Sequence, residues 1–256
     1  MSSTRGREAR LYDSPCPSVH PEGILSILPL VALLLAPGRP AEVYFEQRTY
    51  MREDGAAPGP GVLSRVWFAG SRMRMEAGDA PGGPALVLRL DEGRAWRIEP
   101  ERKIALEIDP ARLRARAHMD ASVAGDLMGG SEEGSARTTP LPAGKTVAGY
   151  ACRGFRIKAS SLVMDVFVTD AVPLTVEAFA DFVEWSGASQ SLGGLLQEIR
   201  RLPGFPLETH TRVTVLGQVR ETVSTVTKVR VGPHPAAVFE VPSGYRIEKE
   251  AANQED

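Results

Sequence analysis

The sequence predicts an α+β fold that is mostly β, a curved antiparallel sheet capped on its concave face by amphipathic helices. Three observations predict it. From Leu207 the side chains alternate, with Leu207, Thr209, Thr211, Val213 and Val215 against Glu208, His210, Arg212 and Thr214. After Gly217 the alternation resumes, with Val219, Val223, Thr225, Val229 and Val231 on one side. A period of two with β-branched residues marks a half-buried antiparallel sheet, and Gly217 supplies the positive φ of a tight hairpin turn. Second, Glu42 to Ile108 reads as short alternating segments joined by turns, a meander. Third, apolar residues recur at helical spacing between Thr175 and Leu202, and a helix with a wide apolar face must cover something.

Composition sets the bounds. The chain has 256 residues, 30 basic and 32 acidic, for a formal net charge of -2. That balance gives no reason to expect a nucleic-acid partner. Gly 25 and Pro 20 fit a turn-rich β protein. The only cysteines are Cys16 and Cys152. Tyr150 and Phe155 beside Cys152 point to a buried structural thiol, and no metal-ligand spacing occurs.

Residues 1–41 read as a signal peptide with an unusually long leader. Ile24 to Ala36 is uncharged and largely apolar, the length of a signal core and short of the about 20 residues that span a bilayer. Arg5, Arg7 and Arg10 precede it. The alternative is a buried segment of the mature domain. Export, to the periplasm or beyond, is preferred because nothing amphipathic pairs with the run. Cys16 lies before it and is therefore not the acylated cysteine of a lipoprotein.

A single domain is expected over 42–247, followed by a polar disordered tail, 248–256. The strands expected are Glu42 to Met51, Val62 to Phe68, Arg72 to Glu76, Ala85 to Leu90, Ala95 to Glu99 and Lys103 to Ile108. Val43 and Phe45 share a face, as do Met73 and Met75, and Trp96 and Ile98 oppose Arg97 and Glu99. Ala111 to Met128 has good helix formers and a thin apolar stripe. Residues 129–144 read as a flexible internal linker. Lys145 to Lys158 and Leu162 to Thr169 are two more strands. The clearest helix follows, with Thr175 as N-cap, Leu174 packing on Phe179, and Val176, Phe179, Phe182 and Val183 forming a stripe beside Trp185. Gly187 fits just past its end. Leu192, Leu195, Leu196, Ile199 and Leu202 mark a second helix, stopped by Pro203 and Gly204. The helices feed into the long hairpin, which is placed at the sheet edge beside the cap.

Val66-Trp67-Phe68-Ala69-Gly70-Ser71-Arg72-Met73-Arg74-Met75-Glu76, Leu88-Arg89-Leu90-Asp91 and Arg97-Ile98-Glu99-Pro100 together resemble the LolA/LolB-like lipoprotein-carrier superfamily. Ala148-Gly149-Tyr150-Ala151-Cys152 and Phe239-Glu240-Val241-Pro242-Ser243-Gly244-Tyr245 are similar, more closely, to a family of exported bacterial proteins known only as a domain of unknown function. The resemblance implies an incomplete β-barrel capped by helices, with a hydrophobic cavity that accepts acyl chains in carriers.

The candidate ligand-lining residues are Val66, Met73, Met75, Trp96, Ile98, Phe179, Phe182, Trp185, Leu195, Leu196, Val213 and Val215. They are equally the composition of an ordinary core. No nucleophile elbow, P-loop or dinucleotide fingerprint appears. His20, His118, His210 and His234 lack metal-ligand partners, and His210 falls on the polar side of its strand. Asp165 falls on a wet face or at a strand edge. No cofactor, catalytic residue, metal or transmembrane span is expected. The leading expectation is a non-enzymatic exported protein holding a lipid, acyl chain or other hydrophobic small molecule between sheet and helices. The alternative is a structural or regulatory envelope protein that docks a protein partner, which predicts an exposed apolar patch in place of an enclosed cavity.

Overall fold

The computed structural model describes residues 42–53, 59–109, 111, 136–159, 162–174, 182, 195, 197–215 and 217–249. Within them the strands are β1 (Glu42–Glu53), β2 (Val62–Ala69), β3 (Arg72–Ala77), β4 (Ala85–Arg89), β5 (Arg94–Glu99), β6 (Ile104–Ile108) and β7 (Arg137–Pro140). They continue with β8 (Lys145–Val147), β9 (Tyr150–Ala159), β10 (Leu162–Thr169), β11 (Phe205–Val215), β12 (Gln218–Val231) and β13 (Arg246–Lys249). The sheet order is β13-β6-β5-β4-β3-β2-β1-β12-β11-β10-β9-β7, with β8 pairing β9 off that path. Every pair is antiparallel except β13 with β6. The ladder is open, ending in β13 on one side and β7 on the other.

The meander β1 to β6 forms as expected, because each tight turn returns an alternating segment onto its predecessor. The long hairpin is central, a correction to its expected place at the edge. β12 pairs with β1 and β11 with β10. Local patterning carries no trace of the β1–β12 ladder, whose partners lie far apart in sequence, as Thr49 and Ser224 do at 175 residues.

Register also corrects the expectation that Val213, Val215, Val219 and Val223 share one apolar face. The hairpin pairs Val215 with Gln218, so odd positions of β11 share a face with even positions of β12. Val213 and Val215 therefore occupy positions of one face, and Val219 and Val223 of the other. A bulge between Glu46 and Gln47 on one strand and Lys228 and Val226 on the other resets the phase, and Val229 rejoins Phe45. Gly217 does take a φ of +81°.

Three boundaries also change. The expected strand Lys145 to Lys158 is a hairpin, β8 and β9, turned at Ala148 and Gly149, whose φ values of +49° and +85° match a two-residue hairpin turn. Residues 137–140 of the expected linker form β7, where two threonines suit a strand and Pro140 ends it at the sheet edge. Glu248 and Lys249 of the expected tail belong to β13. The expected leader, most of 111–128, and residues 175–181, 183–194 and 196 of the expected helical cap lie outside the described residues.

One sheet face carries the helical residues. Phe182 meets Phe68 edge-on, with ring centroids 5.4 Å apart. Leu195 and Leu202 pack with Ile157, Val166 and Val168. On the opposite face the C-terminal segment lies over the meander, where Val241 and Tyr245 pack with Val87, Trp96, Ile98 and Ala105. That cover buries Arg74, Glu76 and Arg89, which simple alternation leaves in water. Burial is tolerated because each is paired, Arg74 to Glu76 at 2.8 Å and Arg89 to Asp91 at 3.0 Å and to Glu240 at 2.6 Å.

Candidate functional site

The helix-side face follows from the register. Val66, Phe45 and Val229 align in one cross-strand row, and Ser64, Gln47 and Val226 in the next. The third row is Val62, Thr49, Ser224, Thr209 and Val166. Two apolar clusters thus flank a short polar band. One is centred on Phe45, Phe68 and Met73, the other on Ile157 and Val166. In the band, Thr49 and Ser224 share a hydrogen bond of 2.9 Å and the Gln47 amide donates to Thr49 Oγ1 at 3.4 Å. A cavity of about 210 Å³ opens there, lined by Phe45, Phe205 and Leu207 with Gln47, Thr209 and Ser224. It falls short of the roughly 300 Å³ at which drug-sized sites begin.

The expected lining residues divide. Val66 and Met73 are buried in the first cluster, and Met75, directly opposite Val66, lies on the same face. Phe182 and Leu195 belong to that face but to different clusters. Val213 is half-buried on it, and Val215 shares its register. Trp96 and Ile98 lie on the other face, under Val241 and Tyr245, and are not brought to the cavity. Alternation within β5 made them core residues without telling which face was which. Phe179, Trp185 and Leu196 lie outside the described residues. Sequence reasoning missed Phe205, Leu207, Gln47, Thr209 and Ser224 as one wall, because they meet only through the β1–β12–β11 register.

The outer face of the same strands is charged. Glu208 is buried and binds both Lys145 Nζ and His210 Nε2. Burial pushes its carboxyl upward, but the hydrogen bonds from Lys145 and His210 prevail and hold it below the usual carboxylate range. His210 therefore sits on the polar side, as expected, and serves a carboxylate. Asp165 lies on an interior strand and accepts both arms of Arg156 at 2.6 Å, which holds its carboxyl low despite partial burial.

A folded-state pKa below the unfolded one stabilises the native state at neutral pH, and the gain disappears as pH falls through the folded value. The stability of the wild type to urea is expected to fall between pH 7 and pH 3. Glu208→Gln removes its share of that fall, giving a shallower pH dependence than the parent. An unchanged slope would refute the assignment.

Among the described residues no group of three His, Cys, Asp or Glu side chains is placed to hold a metal, and no helix is long and apolar enough to cross a membrane. Cys152 is a buried free thiol, its pKa raised by burial, with Sγ 3.5 Å from the Tyr150 carbonyl oxygen.

An open, antiparallel-dominated sheet with a small cavity of mixed lining on one face is the class of fold. The particular family follows from sequence. Residues 66–245 match the domain of unknown function DUF4412, and the chain belongs to that family. No curated protein matches it. Solved structures similar to it include an uncharacterized conserved protein from Thermus thermophilus at 10% identity and TM-score 0.41, covering 89% of this chain and 99% of that one. A LolA superfamily protein from Nitrosomonas europaea is similar at 9% identity and TM-score 0.30, covering 84% of this chain and 96% of that one. PNGF-II is similar at 12% identity and TM-score 0.36 over 83% of this chain, which spans only 31% of that protein.

Proposed function

We propose that this is a non-enzymatic, exported protein of the cell envelope that holds an acyl chain or similar apolar ligand on the helix-side face of its sheet. The carrying observation is a group of exposed apolar residues on one face. Of the five large apolar side chains exposed among the described residues, Met51 at 66%, Val62 at 56% and Met75 at 38% lie on adjacent strands, and register puts all three on the helix-side face. An exposed apolar side chain is ordinary on the wet side of a strand; three on the core side of adjacent strands form a surface that a ligand would cover. The cavity at Phe45, Phe205 and Leu207 gives a chain a place to end, and the Gln47–Thr49–Ser224 band gives it a polar group to meet. The apolar run Ile24 to Ala36 supports export.

Native mass spectrometry and lipid extraction of protein from its host envelope are expected to find a bound lipid. Titration with a fluorescent fatty acid is expected to give saturable binding, weakened at least tenfold in Val62→Glu/Met75→Glu. A ligand-free protein that also ignores the fatty acid would refute the proposal. The openness of the surface favours a second reading, a docking face for an envelope protein. Loss of a captured partner in the same double variant, with no lipid bound to the parent, would decide for it.

A further inference from the structure

We propose a second site, on the outer face, that binds a phosphate group, either free or carried on a lipid headgroup. It rests on charges the helix-side reading does not use. Register places Arg52, Glu221, Arg212, Val163, Lys158 and Arg137 in one row across six strands. The neighbouring row holds Tyr50, Val223, His210, Asp165 and Arg156. Adjacent strands stand about 4.8 Å apart, so these side chains converge above one stretch of sheet.

Most of them, though not Arg137 or Tyr50, line a groove with a volume of about 330 Å³, larger than the cavity on the helix side. Four cations line it, Arg52, Arg156, Lys158 and Arg212, against two carboxylates, Asp165 and Glu221. Both carboxylates are already engaged. Asp165 takes both arms of Arg156. Glu221 Oε1 accepts Arg212 Nε at 2.8 Å and Nη2 at 2.6 Å, and its Oε2 lies 2.6 Å from Arg52 Nη2. Lys158 and Arg137 stand directly opposite each other and take no carboxylate among the described residues.

Like charges placed opposite destabilise a strand pair, so this arrangement needs an explanation. Charge on an edge strand deters edge-to-edge pairing and accounts for Arg137 on β7. It does not account for Lys158, which lies on interior β9 with only Val163 between it and the Glu221-bound Arg212. A phosphate oxygen set beside Val163 would face an ammonium on one side and a guanidinium on the other, the geometry by which Lys and Arg hold phosphate. Beside the groove, an adjoining depression that shares Arg52, Glu221 and Val223 with it and adds Tyr50 offers an apolar flank for the organic part of a headgroup.

The test uses the full chain. Calorimetric titration with inorganic phosphate is expected to show saturable binding that weakens as salt rises. Lys158→Gln, which breaks no ion pair among the described residues, is expected to weaken it at least fivefold, and Lys158→Gln/Arg212→Gln at least twentyfold. Arg246→Gln, on exposed β13, leaves it unchanged. Co-sedimentation with phosphatidylcholine vesicles, with and without phosphatidic acid, separates the sources. Binding only to phosphatidic acid vesicles, lost in the variants, assigns a lipid headgroup, and binding of free phosphate alone assigns a soluble ligand. No binding to either, or binding unmoved by both variants, would overturn the site.

Discussion

Phe239→Ala is expected to lower folding free energy by about 3–5 kcal/mol, the usual cost of emptying a buried aromatic site. Domains of this size keep only about 5–15 kcal/mol in reserve, so the variant should be marginal at 37 °C. The ring is 1% exposed and closes a short helical turn, Ala236–Phe239, seated on β3 and β4. The Arg72 guanidinium stands over it, 5.1 Å from its centroid. Around it the C-terminal segment is tied down by polar contacts, with Arg89 Nη1 bonded to Glu240 Oε1 at 2.6 Å. Removing the ring loosens the cover over Arg74, Glu76 and Arg89, whose burial depends on it. Their desolvation is offset only while their pairs stay intact. Ile247→Ala, at an exposed position of β13, is the matched comparison and should change stability by less than about 0.5 kcal/mol. Urea denaturation of the two variants decides the matter. If Phe239→Ala costs no more than Ile247→Ala, the segment is not an anchor.

The same segment shows what the sequence makes legible. Phe239 to Tyr245 stands out as a turn-rich closing motif, and alternation marks Trp96 and Ile98 as core. That the first covers the second is a contact across the chain that neither pattern contains. The meander was readable because its strands pair with their sequence neighbours, so each turn fixes a partner. β1 was readable as a strand, since Val43 and Phe45 alternate, but not as the neighbour of β12. The candidate site suffered most from this. Val66, Met73 and Met75 were found because one strand pair holds them. Phe205, Leu207, Thr209 and Ser224 were not, because the wall they form depends on a hairpin register and a bulge that set which face each strand presents. A shift of one residue in either would exchange the hydroxyl band for Glu208 and His210. The Ala148–Gly149 turn hid for a simpler reason. Alanine at positive φ is uncommon, and nothing in its side chain announces a turn.

Gly204→Ala is the other substitution expected to be severe, costing roughly 2–5 kcal/mol and disturbing the cavity as well as the fold. In sequence Pro203 and Gly204 read as a stop after the second helix. The structure gives the glycine a second task. Its φ is +130°, and a Cβ added there would lie 2.4 Å from the Thr169 carbonyl oxygen and 2.6 Å from its carbon. Both obstacles are backbone, and Thr169 is the residue that pairs with Phe205 at the start of β11. The chain cannot relieve the clash by moving a side chain; it must move the strand entry. Phe205 and Leu207 follow immediately and line the cavity, so a displaced entry carries them away from Phe45. Gly217→Ala is the control. Its φ is +81° with nothing within 4 Å of an added Cβ, and it should cost only about 1 kcal/mol from the backbone conformation. Thermal melts are expected to show a drop for Gly204→Ala at least twice that for Gly217→Ala. Fatty-acid titration of the folded fraction should show weakened binding in Gly204→Ala alone. Equal melts for the two would mean that the close approach at Thr169 contributes nothing. Weakened binding in both would place the ligand contact at the hairpin tip instead of the entry to β11.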